Sequence, residues 1–132
     1  MNKFRIPGLY QDERYAGVML TADDALSHHL ILLPGEIADV TWDEAMAWAT
    51  RIGGVLPDRG EQALLFSNLK HRFKPKWYWS GEQYLPYPSA SWFQFFDHGS
   101  QSHLSKDYKG YARAIRRVKI TEVEHAEPII PY

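Results

Sequence analysis

Apolar residues come first in short blocks and then at helical spacing. Tyr15-Ala16-Gly17-Val18-Met19-Leu20 and His28-His29-Leu30-Ile31-Leu32-Leu33 are separated by the polar Thr21-Ala22-Asp23-Asp24. Two such blocks around a polar turn predict an antiparallel hairpin over 14–33, closed by Pro34-Gly35. From Trp42 the rhythm changes: Trp42, Ala45, Met46 and Ala49 recur at steps of three and four. Thr41 followed by Glu44 is a capping box, and Gly53-Gly54 supplies the stop, which predicts a helix over about 42–53. Asp58 and Glu61 repeat the box, Leu64, Leu65, Asn68 and Leu69 follow, and Pro75 closes a second helix over about 59–73. The basic run Lys70-His71-Arg72-Phe73-Lys74 then falls at the negative end of that helix dipole, which accounts for it without a phosphate.

Beyond Trp77 the pattern is that of strands and turns, over 77–120. Trp77-Tyr78-Trp79 and Ser91 to Phe96 are rich in strand formers, and Tyr84 to Ser89, with two prolines, reads as a loop. His98 to Ser102 reads as a hairpin turn or longer loop, and Tyr111 to Ile120 as a closing strand. Residues 121–132 form a C-terminal arm, in which Pro128 and Pro131 argue against a central strand.

Composition narrows the field. A chain of 132 residues that is 45% hydrophobic and 14% aromatic suits one globular domain. It holds no cysteine, which excludes disulfides, thiolate metal sites and a cysteine nucleophile. No apolar run approaches the ~20 residues that span a bilayer, and the first residues lack the apolar core of a signal peptide. Cytoplasmic synthesis is the expectation. Residues 1–66 carry 5 Lys/Arg against 10 Asp/Glu and residues 67–132 carry 10 against 6, within a net charge of −1. So small a net charge gives little long-range attraction to phosphate.

Five short motifs in fixed order carry a resemblance: Trp42-Asp43-Glu44-Ala45, Leu56-Pro57-Asp58, Tyr78-Trp79-Ser80, Ser91-Trp92-Phe93-Gln94-Phe95-Phe96-Asp97-His98-Gly99 and Arg113-Ala114-Ile115-Arg116. The set, over residues 40–118, resembles the phage and bacterial family of C-type-lectin-like domains related to the Lcl C-terminal domain, in a prophage-borne branch. Asp58 stands where the family has Thr, and Ser91 where it has Ala; both preserve the local role. The resemblance implies an α+β fold, with two helices packed on a small twisted antiparallel sheet and the N- and C-terminal strands adjacent. It also implies a long loop-rich excursion that in lectin-like relatives, including receptor-binding proteins of phages, presents the ligand site. The calcium loop and Trp-Asn-Asp strand of true lectins are absent, and Glu82 and Asp97 alone are too few oxygen ligands. The sulfatase-activating oxidases that share the fold need cysteine.

Candidate chemistry is otherwise sparse. His28 and His29 point to opposite faces of a strand and cannot chelate together, one facing the core and one the solvent. His98 and His103 flank a loop and can meet across a hairpin near Asp97 or Asp107, but ordinary polar loop residues explain them better than a hydrolase site. In the aromatic segment, alternation puts Trp92, Gln94 and Phe96 on one face, assigned to the core, and Phe93 and Phe95 on the other. Either Phe93 and Phe95 form an exposed patch, framed by Tyr84, Tyr87, His98, Gln101, His103 and Tyr108, or a covering loop or the arm (Ile129, Ile130, Tyr132) buries them. Arg113 and Arg116 are expected to pair with scaffold carboxylates, leaving Arg117 free for an external contact.

The function expected is a non-enzymatic, phage- or prophage-derived recognition domain that needs no calcium and no cofactor. It binds a host or phage protein, or a surface glycan, through the 82–108 face. Its role is a tail or receptor-binding accessory, associated with the virion, or an intracellular inhibitor of a host defence factor. The alternative is a small nucleic-acid-binding protein using the basic segments 70–76 and 113–119.

Overall fold

A computed structural model describes residues 5–23 and 27–120; the expected C-terminal arm lies outside the described residues. The N-terminal hairpin forms as its apolar blocks predict, with β1 (Arg14–Met19) antiparallel to β2 (His28–Leu32). A bulge between Tyr15 and Gly17 bends β1, and Gly17 takes a φ of 132° that a side chain would strain. A short strand not expected from the sequence, β3 (Ile37–Val40), leads into α1 (Trp42–Arg51). The helix α2 (Arg59–Leu69) follows, then a single 3-10 turn at Lys70–Arg72, so the second helix is shorter than 59–73. The last five strands are β4 (Trp77–Gln83), β5 (Ala90–Phe95), β6 (Gln101–Ser105), β7 (Gly110–Ala112) and β8 (Ile115–Lys119).

Both helix starts are built as the sequence dictates. The Thr41 and Asp58 side chains accept from the Glu44 and Glu61 amides, and both glutamates reach back to the cap amides at 2.9 Å. Gly53, at φ 87°, supplies the left-handed residue just past α1.

The fold is α+β, with two helices, but its strands form two sheets rather than one. The first has the order β1-β2-β8 and the second β3-β7-β4-β5-β6. The predicted closing strand divides: β7 runs parallel beside β4 in the second sheet, and β8 pairs with β2 in the first. The N-terminal hairpin and the last described strand therefore share a sheet.

Alternate side chains of the second sheet enter two cores. Trp79 and Phe93 pack with Trp42, Ala45 and Ala49 of α1, whereas Tyr78 and Phe96 pack with Leu65 and Leu69 of α2. One helix covers each face. The α1 side gathers Trp77, Trp79 and Phe93 edge-on or tilted at 5.0 Å. On the α2 side Phe73 stacks on Phe96 at 3.9 Å. The Tyr78 hydroxyl donates to Glu36, and burial together with that bond pushes its pKa upward.

A buried carboxylate fastens α2 to the first sheet. Glu61 is fully buried at the third position of α2. Arg117 of β8 donates to its two oxygens through Nε and Nη2 at 2.7 Å each, and His28 of β2 donates through Nε2 at 2.7 Å. Arg117 is therefore an internal partner, not the free cation expected, because a buried carboxylate demands a counter-charge. His28 likewise is mostly buried on this carboxylate rather than solvated, while His29 is buried on the opposite face and shares a 2.8 Å hydrogen bond with the Tyr15 hydroxyl. Arg116 meets its expected carboxylate, Glu13, at 2.8 Å. Arg113 differs from expectation: it donates to the carbonyls of Arg72 and Leu33.

Burial pushes the Glu61 carboxyl up, but the bonds from Arg117, the Asp58 amide and His28 outweigh it and hold the group below its ordinary value. Its contribution to stability is present in full above the unfolded glutamate range, about 4.3, and is lost as the pH falls through the lower folded value. Glu13, held down first by its bond from Arg116, acts in the same direction. Urea unfolding at descending pH should show this loss, and Glu61→Ala should reduce stability at neutral pH by about 3 kcal/mol. In that variant the loss on acidification should also be smaller.

Candidate functional site

The loop between β4 and β5 exposes Leu85 and Tyr87 close together, whereas Tyr10 and Leu20, exposed to a similar degree, stand elsewhere in the chain. Its two ends are fixed: the Tyr84 amide donates to Ala90, and the Tyr87 and Ala90 amides donate to Tyr84 and Tyr87 in two successive turns. Pro86 and Pro88 stiffen the path between them. Leu85 is 82% exposed and Tyr87 65% at the tip, and Tyr84 turns back onto the sheet.

Tyr84 is the centre of an aromatic stack. Its ring lies parallel to His103 of β6 at 3.6 Å, Tyr87 lies against it at 5.9 Å, and Trp92 of β5 meets it edge-on at 5.2 Å. Arg59 lies over the Trp92 ring, its guanidinium 3.5 Å from the ring centroid. Arg59 is oriented by donating Nε to Gln101, and the Gln101 amide donates in turn to the Arg59 carbonyl and to Gln94. The two closer pairs, Tyr84–His103 and Tyr84–Trp92, each add about 0.5–1.5 kcal/mol beyond area burial. The rings are thereby held in place before any partner arrives. A cleft of about 470 Å³ opens beside them, lined by Glu82, Gln83, Tyr84, Leu85, Pro86 and Trp92.

Several expected positions are relocated. Phe93 is 4% exposed in the α1 core and Phe95 packs partly against it, so they form no exposed patch. Trp92, Gln94 and Phe96 do share a face, and the opposite face is covered by α1 and the two tryptophans of β4. Trp92, expected in the core, is half-buried and belongs to the surface. His98 sits in the exposed turn after β5, bonded to Ser100 and near Phe95, and no hydrogen bond joins it to His103. Tyr108 is 60% exposed on the turn that follows β6. Tyr84, Tyr87 and His103 are brought together, with Gln101 behind them as an orienting group. Arg59 and Leu85 were missed; only the helix start at Asp58 hinted that Arg59 would face the sheet.

Four of the eight Lys and Arg of the basic segments are engaged by ion pairs or hydrogen bonds within the fold. Lys74 pairs with Glu36 at 2.7 Å, and Arg113, Arg116 and Arg117 hold the partners given above. A further cleft of about 550 Å³ lies at the end of α2, floored by Phe73 and Phe96 and rimmed by Lys70, His71 and Asp97. Among the described residues no group of three or more His, Asp or Glu could hold a metal ion, and no helix is long and apolar enough to cross a membrane. No family model, curated protein or solved structure matches the chain.

The two phenylalanine and tyrosine positions should separate in a stability measurement. Phe93→Ala should cost about 3–5 kcal/mol in denaturant unfolding, the range for a buried phenylalanine. Tyr87→Ala should stay within about 0.5 kcal/mol of the parent, as for an exposed residue.

Proposed function

We propose that this chain is a non-catalytic recognition domain of C-type-lectin-like architecture and phage or prophage origin. It takes a host or phage protein through the face made by Tyr84, Leu85, Tyr87, Trp92 and His103, without calcium. The observation that carries the reading is a rigid aromatic stack beside two large apolar side chains left 82% and 65% exposed. Exposed apolar groups on a pre-ordered support are the composition of an interface anchor. The lectin-like architecture is supported by the first sheet, which unites the N-terminal hairpin with β8, and by the two consecutive helices that precede β4 in the chain.

A protein partner is favoured over a glycan by the aliphatic wall of the cleft. Leu85 and Pro86 gain from burying an apolar side chain, whereas sugar hydroxyls placed against them would lose water without a hydrogen bond in return. Nucleic acid is disfavoured because Lys74, Arg113, Arg116 and Arg117 of its two candidate segments are committed to Glu36, main-chain carbonyls, Glu13 and Glu61.

The test is affinity capture from bacterial lysate with the tagged domain and a Leu85→Ser/Tyr87→Ser variant in parallel. A protein held by the parent should bind the variant at least 30-fold more weakly, the ~2 kcal/mol of a hot spot, with unchanged thermal unfolding. Its affinity should vary little between 50 and 300 mM salt; a steep fall would instead indicate phosphate contacts. Equal capture by both forms would remove this face from the interface.

A further inference from the structure

The two sheets have four open edges, and among the described residues three are blunted. At β1 the bulge bends the strand, and the Asn68 side chain of α2 donates to the Ala16 carbonyl. β3 is four residues long and is interrupted by Asp39 at φ 60°, where its register slips. β8 carries Arg116, Arg117 and Lys119, and Ile115 already exchanges both main-chain bonds with Val55. Charge, bulges, short length and covering side chains are the usual defences of a sheet edge.

β6 has none of them. Its sequence, Gln101-Ser102-His103-Leu104-Ser105, holds no charged residue and no proline, and it runs in unbroken register with β5 from Ala90–Ser105 to Gln94–Gln101. The Lys106 amide donates to Ser89 and the Phe95 amide to Ser100, at 2.9 Å each. Those bonds place Ala90–Ser105, Trp92–His103 and Gln94–Gln101 at the non-hydrogen-bonded positions of the ladder. The amides of Gln101, His103 and Ser105 and the carbonyls of Gln101 and His103 therefore point away from β5. The Ser105 carbonyl alone is used, by the Tyr108 amide. Beside this edge, on the α2 side, stands the Tyr84–His103 stack.

We infer that β6 is a docking edge for an extended segment of a partner protein, which adds to the second sheet as a sixth strand. The main chain of the segment pairs with Gln101, His103 and Ser105. Its side chains alternate between the two faces, and those on the α2 side are apolar or aromatic and lie against Tyr84 and His103. The inference rests on the reading above that the partner is a protein, and it assigns that partner a conformation and a register.

The probe is a phage-displayed library of unstructured dodecapeptides selected on the whole chain. Enriched peptides are then remade with single N-methyl amides and followed by NMR hydrogen exchange. Strand addition predicts at least tenfold slower exchange at the Gln101, His103 and Ser105 amides. It also predicts a tenfold or greater loss of binding on N-methylation at every second peptide residue, with little change between them. Peptides that leave those three amides unprotected and show no alternation overturn the inference; if they also lose binding to the Leu85→Ser/Tyr87→Ser variant, the aromatic face survives as the site. Protected amides with full binding to that variant support the edge and remove the aromatic loop. Failure to enrich any peptide overturns it, as does protection that grows with protein concentration alone, which assigns the edge to a second copy of the chain.

Discussion

A fully buried carboxylate holds this molecule together. Glu61 caps its own helix, accepts two bonds from Arg117 and one from His28, and so joins α2 to two strands of the first sheet. A carboxylate this deep is costly unless every lone pair is used and the charge is matched. The arrangement meets both needs and fixes where α2 starts. That start decides the surface, because the residue two positions before Glu61 is Arg59, whose guanidinium lies over Trp92.

The second constraint is the two-sided burial of β4 and β5. Most half-buried sheets turn one face to water, but here α1 takes Trp79 and Phe93 while α2 takes Tyr78, Gln94 and Phe96. Even the polar residues of these strands are spent inside: Ser80, Ser91 and the Gln94 amide bond main-chain oxygens, as does the amide of Gln62 on α2. With most of both faces covered, the second sheet offers a partner, among the described residues, the β4–β5 loop, the half-buried Trp92 beside it and the β6 edge. The loop-borne rings and the open edge lie side by side, which gives one continuous surface with two kinds of contact, side-chain anchors at the loop and main-chain pairing along the strand.

The β4–β5 loop, Tyr84 to Ser89, carries rings, prolines and a leucine. The chemistry left to it is burial of apolar surface.

Local rules in the sequence determined the helix starts, the N-terminal hairpin and the β4–β5 loop. The capping boxes at Thr41 and Asp58, the hairpin and the β4–β5 loop all depend on residues within a few positions of one another, and each formed where its residues stand. The period-2 pattern of Trp92 to Phe96 likewise set which side chains share a face. Which face met water was decided only by tertiary structure, because that depends on where α1 and α2 dock. Phe93 therefore went to the core, Trp92 to the surface, and Arg117, 56 residues from Glu61, to a bond no local pattern encodes. The division of 110–119 between two sheets, and the undefended β6 edge, arise from the same cause: strand pairing joins residues distant in the chain, and a sequence states what a residue prefers but not what lies beside it.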